Sequence, residues 1–339
     1  MATIVLTGGG TGGHVIPALA LLPELKKHFE KIYFIGGNGI EKRLSEEKGL
    51  PFFTVDTIKF DRKYPLKNLK IPSVLGKGVR ECEALFEKIK PDVVFSKGGY
   101  VALPACFAAR KRGVPVVCHE SDLTMGLANK LTSRFAAKVL TSFPSTKGGK
   151  YVGNPVREEI LTGNKTRAEI NLKMQKGRKT VLFFGGSQGA AALNKVVFDA
   201  LPTLTKTYNV IHISGGSGDF TVPQTPTYRQ LAFSNEMPDL LALCDVVVCR
   251  AGANALFEIA AVGKPALCIP LPKGNSRGDQ LLNAEYFRKK GYVDVLPQDR
   301  LDKDVLLEKI NALSDFHPPK LDVSLINQNV VKEIISVVK

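Results

Sequence analysis

With 339 residues the chain exceeds the roughly 100–200 of a single domain, and its 44% hydrophobic and 23% charged residues, free of any low-complexity tract, exclude a disordered or fibrous protein. No apolar run approaches the roughly 18–20 residues that cross a bilayer, and the opening Met1-Ala2-Thr3-Ile4-Val5-Leu6-Thr7 runs straight into a glycine loop, so no signal peptide is expected. The net charge of +15 is uneven: residues 1–155 carry 24 Lys+Arg against 13 Asp+Glu (+11), the remainder 23 against 19 (+4).

In chain order, apolar β-rich runs at 4–7, 32–35, 52–55, 93–95, 114–118 and 139–141 alternate with longer helical patterns. That is the rhythm of a doubly wound parallel sheet. Gly, Asn and Pro then interrupt it at Tyr151-Val152-Gly153-Asn154-Pro155-Val156-Arg157, where a linker is expected, dividing 1–154 from 155–324. The rhythm restarts with strands at 181–184, 210–213, 246–249, 266–269 and 293–296 and helices at 188–204, 253–262 and 279–290. Helical spacing after Pro318-Pro319 predicts a last helix over 325–339, placed to pack back on the first domain. The cysteines Cys82, Cys106, Cys118, Cys244, Cys249 and Cys268 are scattered without a CxxC pair, which predicts reduced, buried thiols of a cytoplasmic protein.

The loops carry the chemistry. Gly8-Gly9-Gly10-Thr11-Gly12-Gly13-His14 follows the first strand and opens a helix, so backbone amides form an anion cradle. A G-x-G-x-x-G spacing with a ribose-binding acid about 20 residues on is not met, which argues against nicotinamide or flavin. Gly185-Gly186-Ser187-Gln188-Gly189-Ala190 repeats the device in the second half, suited to a pyrophosphate. A third loop, Arg250-Ala251-Gly252-Ala253-Asn254, precedes a helix bearing Glu258, whose carboxylate suits two ribose hydroxyls, although an isolated helical Glu is more often a solvated one. Gly278-Asp279-Gln280 opens another helix at the same sheet edge, where ligands of such sheets bind.

The ordered set Gly9-Gly10-Thr11-Gly12-Gly13-His14, Gly98-Gly99-Tyr100-Val101, His119-Glu120, Gly153-Asn154-Pro155-Val156-Arg157, Gly185-Gly186-Ser187-Gln188-Gly189-Ala190 and Glu258 resembles the MurG family, from residue 4 to about 290. The resemblance implies an α/β GT-B architecture, two Rossmann-like doubly wound domains with a cleft between them. It implies an inverting, metal-independent transfer of N-acetylglucosamine from UDP-N-acetylglucosamine to the muramyl C4 hydroxyl of undecaprenyl-linked lipid I, giving lipid II for peptidoglycan. Ser187, Gln188, Gly189 and the following helix N-terminus would face the diphosphate, Glu258 the ribose and Phe233-Ser234 the uracil edge. Asn194, Gln280 and the stretch Ala253, Asn254, Ala255, Leu256 and Phe257 would complete the donor pocket. Arg157 would meet phosphate or, alternatively, make an interdomain salt bridge. From the first domain Thr11, Gly12, Gly13 and Asp122 would join the donor contacts, and Gly99 and Tyr100 the acceptor contacts. His14 is the candidate base, since an ordinary imidazole titrates near about 6.5. Glu120 is the alternative base or orients His14, and His119 is read as structural.

Two departures stand out: His119-Glu120-Ser121-Asp122 replaces the family's His-Glu-Gln-Asn, and 215–228 is short where relatives carry a helix. An ionised Asp122 accepts hydrogen bonds from sugar hydroxyls but donates none. Between Lys59 and Arg80, the basic Lys67, Lys70 and Lys77 interleave with Ile71, Val74 and Leu75, and Arg110-Lys111-Arg112 adds a second cluster. Such segments suit an anionic membrane surface, here the cytoplasmic face of the bacterial inner membrane with the protein peripheral, or they are simply a solvated face. Modest aromatic content and the lack of a recognition motif argue against nucleic acid. Two other readings stay open: glycosylation of a different lipid or epimerisation of UDP-N-acetylglucosamine, and a non-catalytic nucleotide-sugar or lipid-binding module.

Overall fold

The computed structural model describes residues 2–60, 64–185, 190–215, 222–274 and 278–338, apart from the side chains of Pro65 and Lys67. They gather into two units, Met1–Arg157 with Val323–Lys339, and Glu158–Asp322.

Among the described residues, the first unit holds a seven-stranded sheet of β1 (Ala2–Thr7), β2 (Phe29–Gly36), β3 (Phe52–Thr54), β4 (Val93–Ser96), β5 (Val116–Glu120), β6 (Lys138–Thr141) and β7 (Lys150–Tyr151). Its order is β3-β2-β1-β4-β5-β6-β7, and each pairing is parallel. The helices are α1 (Gly12–Leu19), α2 (Leu22–Leu25), α3 (Ile40–Glu47), α4 (Ile71–Ile89), α5 (Leu103–Lys111) and α6 (Leu127–Thr132). Side chains alternate across the sheet, so the unbroken apolar run of β1 feeds both faces. Ile4 and Leu6 join Phe34, Phe95 and the α1 and α2 residues Val15, Leu19, Leu22 and Leu25 in one core. Val5 joins Ile35, Val94 and the α4 and α5 residues Val79, Cys82, Phe86, Ala105 and Cys106 in another.

The second unit repeats the plan with β8 (Thr180–Phe184), β9 (Asn209–Ile213), β10 (Tyr228–Leu231), β11 (Val246–Cys249), β12 (Ala266–Cys268) and β13 (Asp294–Val295), in the order β10-β9-β8-β11-β12-β13. Its helices are α7 (Lys165–Leu172), α8 (Ala191–Thr207), α9 (Met237–Leu243), α10 (Ala253–Val262), α11 (Asp279–Lys289) and α12 (Lys303–Leu313). Val181, Phe183, Val246 and Val248 of the central strands pack with Leu193, Val197 and Leu204 of α8 and Leu306 and Ile310 of α12. Both sheets reverse direction of growth beside their first strand, between β1 and β4 and between β8 and β11. Such switch points are where doubly wound sheets open a crevice at the carboxyl ends of their strands.

The chain then returns to the first unit through α13 (Ile326–Ile335). Val330, Val331 and Ile334 complete the core under β1, each worth about 1.5–3 kcal/mol of burial. Asn327 clamps the return: its Nδ2 donates to Val156 O at 2.9 Å and Ala20 O at 3.3 Å, and its Oδ1 accepts from Val156 N at 3.3 Å. Glu333 accepts from Lys138 and Lys150, each at 2.7 Å.

The strand pattern missed β7 and β10. The first is only two residues long, and the second, Tyr-Arg-Gln-Leu, is an edge strand in which only Tyr228 is buried. Arg157, placed in the second domain by the sequence, closes the first unit, and the first-unit boundary therefore lies beyond Asn154. All six cysteines are free and buried; burial pushes the Cys106 thiol up to about 11 and that of Cys118 up to about 12.

Candidate active site

At the first switch point the loops leaving β1 and β4 press together. Gly10 has φ +81, and a Cβ there would come 2.7 Å from the Tyr100 ring. Gly99 has φ +79, and a Cβ there would fall 2.4 Å from Gly9 O and 3.2 Å from His14 Nδ1. Only glycine allows both the left-handed backbone and the approach. The His14 ring is thus wedged against the Gly99 backbone in the first turn of α1. Thr11 occupies the N-cap, where a hydroxyl usually accepts a helix N–H. Here no such bond forms, and Thr11 Oγ1 lies 3.2 Å from His14 Nδ1. Glu41 of α3, 2% exposed, accepts the Gly10 amide at 3.3 Å.

The loop after β5 is organised by Glu120. Its Oε1 accepts from Asp122 N at 3.0 Å, and its Oε2 accepts from Gly126 N at 2.8 Å and Asn129 Nδ2 at 2.9 Å. With both oxygens engaged locally, Glu120 shapes the backbone that carries half-buried Asp122. His119 is fully buried, and its Nε2–H donates to Gly153 O at 2.8 Å. Its Nδ1 therefore accepts from Lys97 Nζ at 2.6 Å, and that same ammonium donates to Asn154 Oδ1 at 3.3 Å. Ser121 and Ser142 hydroxyls converge on the same Asn154 oxygen, both at 3.2 Å. Burial draws the Lys97 pKa down to about 7 and the His119 pKa well below its ordinary value. Sequence reasoning missed Lys97, Asn129 and Asn154 as a unit, although a lysine between an apolar strand and Gly-Gly was a signal.

At the second switch point, the predicted diphosphate contacts Ser187, Gln188 and Gly189 lie outside the described residues. The loop after β11 leads into α10, whose hydrogen-bond ladder starts with Leu256 N–H donating to Gly252 O at 3.1 Å. The amides ahead of it form the positive end of the helix dipole. Asn254 and Glu258, four apart, share one half-buried face with Ala255. Ala253, Leu256 and Phe257 turn away: all three are buried, and the Phe257 ring packs edge-on against Phe287 at 5.1 Å. Their side chains are core, and only their backbone is left for a donor.

Asn194 also turns inward. It is 2% exposed, donates Nδ2 to Ser214 O at 2.8 Å and accepts His212 Nε2 at 3.0 Å, bracing β9 instead of presenting its amide to a ligand. Burial holds His212 neutral, with its pKa lowered to about 4. Phe233 stands 50% exposed beyond the end of β10, and Ser234 Oγ accepts Glu236 N at 3.0 Å. Gln280 Oε1 accepts Leu271 N at 3.0 Å, tying the entry of α11 to the loop after β12. Arg157 is half-buried at the end of its unit.

The basic segment is reordered by the structure. Ile71, Val74 and Leu75 are half-buried, and Leu75 packs on the core under α4. The outward apolar side chains are instead Phe60, Tyr64, Leu66 and Leu69, the two leucines 81% and 78% exposed. Lys70 is exposed, whereas Lys77 is paired with Asp56 at 2.6 Å, and the Lys67 side chain lies outside the described residues. The second cluster is paired too: Arg110 lies over the Phe135 ring at 5.0 Å, Lys111 bridges Glu83 at 3.1 Å, and Arg112 bridges Glu87. Among the described residues no helix is long and apolar enough to cross a membrane.

Against known proteins, residues 4–141 match the glycosyltransferase family 28 N-terminal domain and residues 180–335 its C-terminal domain. The UDP-N-acetylglucosamine--N-acetylmuramyl-(pentapeptide) pyrophosphoryl-undecaprenol N-acetylglucosamine transferase of Lachnospira eligens is 44% identical over 327 residues, 94% of this chain and 92% of that one. The protein of the same name from Clostridium perfringens (strain SM101 / Type A) is 40% identical over 347 residues, 99% of this chain and 97% of that one. Among solved structures, MurG of Acinetobacter baumannii superposes with a TM-score of 0.72 at 26% identity, covering 99% of this chain and 100% of that one.

Proposed function

The chain belongs to glycosyltransferase family 28, and on that premise we infer that it moves N-acetylglucosamine from UDP-N-acetylglucosamine to the C4 hydroxyl of the muramyl sugar of undecaprenyl-linked lipid I, giving lipid II for peptidoglycan. The observation that carries the chemistry is the His14 imidazole, wedged against Gly99 with Thr11 at its Nδ1. If Nδ1–H donates to Thr11 Oγ1, the lone pair lies on Nε2, which then takes the proton of the attacking hydroxyl. The hydroxyl oxygen forms the new glycosidic bond as the bond to UDP breaks, inverting the anomeric centre. The leaving diphosphate is stabilised by helix-terminal amides and Arg157, so the reaction needs no metal.

Glu258 and Asn254, on the polar face of α10, take the ribose and neighbouring donor groups, and exposed Phe233 offers a flat surface to the uracil. The exposed side chains of Leu66, Leu69, Phe60 and Tyr64, together with exposed Lys70, supply the apolar and basic groups that meet the anionic cytoplasmic face of the inner membrane as a peripheral contact.

The test is transfer of radiolabel from UDP-N-acetylglucosamine. Labelled lipid from lipid I supports the reaction, sugar interconversion without acceptor makes the protein an epimerase, and binding without turnover makes it a module. Turnover lost in excess EDTA and restored by Mg²⁺ would contradict the metal-independent step.

A further inference from the structure

Beside the first switch point lies a cavity of about 250 Å³, lined by Gly10, Gly37, Asn38, Glu41, Thr57 and Tyr100 together with Gly39 and Ile40. It is built from the loops that follow β1, β2, β3 and β4, so it opens at the carboxyl edge of the sheet, contiguous through Gly10 and Tyr100 with the wedge that holds His14.

Its chemistry is one-sided. Glu41 supplies a carboxylate, 2% exposed, and the backbone closes on it so tightly that a Cβ at Gly9 would fall 2.7 Å from its carboxyl carbon. Tyr100 keeps its proton, because burial first and the Glu41 charge second raise its pKa. Asn38 and Thr57 add an amide and a hydroxyl, and Ile40 is the sole apolar residue among the described residues of the lining. None of those described residues is a cation. A carboxylate without a counter-charge repels phosphate and seeks N–H and O–H donors. The volume lies below the roughly 300–1,000 Å³ of sites for drug-sized ligands, and suits one sugar ring or one to two amino-acid residues rather than a whole nucleotide sugar.

We propose that this cavity is an acceptor subsite, seating the donor-rich muramyl-peptide part of the acceptor beside His14 and excluding its diphosphate. The proposal rests on the acceptor reading above and assigns Asn38, Glu41 and Thr57, on α3 and the loops before α3 and after β3, a specificity role.

Two variants test it. Asn38→Trp fills the cavity from its exposed rim, and Glu41→Gln removes the charge while keeping an acceptor for the Gly10 amide. Each should raise KM for a short-chain lipid-linked muramyl pentapeptide by about 10- to 100-fold, the scale of a lost charge-assisted contact, with kcat and UDP affinity essentially unchanged. An acceptor without the pentapeptide separates the two occupants: the Asn38→Trp penalty disappears if the peptide sits in the cavity and persists if the sugar ring does. Unchanged KM in both variants, beside a wild type that turns over, overturns the subsite and leaves the reaction standing. A readout without turnover is saturation-transfer NMR of soluble muramyl pentapeptide, whose protons should receive saturation from wild type and lose it in Asn38→Trp. No transfer from wild type also overturns the subsite, whatever the enzyme does with lipid I.

Discussion

The two switch points share one topology and differ in what stands at them. At the first, glycine backbones pack against protic side chains, His14, Thr11, Tyr100 and the buried Glu41. At the second, small residues lead into α10, and a half-buried carboxylate follows on its polar face. The first arrangement suits proton transfer from a hydroxyl, the second a pyrophosphate and a ribose. One fold thus supports two chemistries by what it places at the same edge.

Separate substitutions should break the pair cleanly. The largest effect is expected from His14→Ala, which should lower kcat by about 10²–10⁴, the usual contribution of a general base, with UDP affinity unaltered by calorimetry. A fall of less than about tenfold would move the base elsewhere and dissolve the contrast. Next, Glu258→Ala should weaken UDP binding by about 1.5–3 kcal/mol while thermal stability holds, as expected for a charge-assisted hydrogen bond to ribose. Unaltered UDP affinity would remove Glu258 from the donor site.

A third substitution sharpens the claim that the first unit faces the lipid. Leu66→Ser with Leu69→Ser should reduce sedimentation with anionic vesicles by about tenfold or more, since each leucine withdrawn from an apolar phase costs about 1.5–3 kcal/mol. Because Lys77 is paired with Asp56 and Glu81, reversing Lys77 would act mainly through those acids, and Lys70 is the cleaner charge to reverse. Vesicle binding equal to wild type in the leucine variant would place the docking surface elsewhere.

The smallest expected effect concerns how the first unit is closed. Lys138, then Lys150, hold the Glu333 carboxyl below its ordinary 4.5. A carboxylate whose folded pKa is lowered stabilises the fold above its unfolded value and loses that contribution as pH falls through the folded one. Glu333→Gln should therefore cost up to about 1 kcal/mol at pH 7, the scale of partly exposed ion pairs, and nothing once the pH has fallen through the lowered folded-state pKa of Glu333. Hydrogen exchange should show the loss in the first unit alone; equal loss in both would argue that α13 stabilises more than its own unit.

Much of this architecture is legible in the sequence, because strands buried on both faces write unbroken apolar runs and glycine loops mark where they end. What stayed hidden depends on neighbours distant in sequence. Glu41 reads as one more acid on a charged helix, and only the fold brings it to an amide 31 positions earlier. Lys97 looked like part of the basic surplus, yet it is 1% exposed and bonded to residues of β5 and the segment after β7. Motif position placed Asn194, Leu256 and Phe257 near the donor but carried no information on side-chain direction, and the structure turns all three into the interior. The apolar stripe 71–75 was read as outward for the same reason, whereas Leu66 and Leu69 on the preceding 3-10 turn take that place.

The return of α13 has a consequence for synthesis on the ribosome. The Glu158–Asp322 unit is continuous, so its core is complete once residue 322 has emerged. The unit that begins first must wait, with the floor under β1 uncovered until Val330, Val331 and Ile334 arrive. For the interval of making over half the chain, at about 5–20 residues per second, the nascent protein leaves the apolar floor of its first unit uncovered. Its second-made half therefore finishes folding before its first, and chaperones are expected to dwell on the earlier half rather than the later.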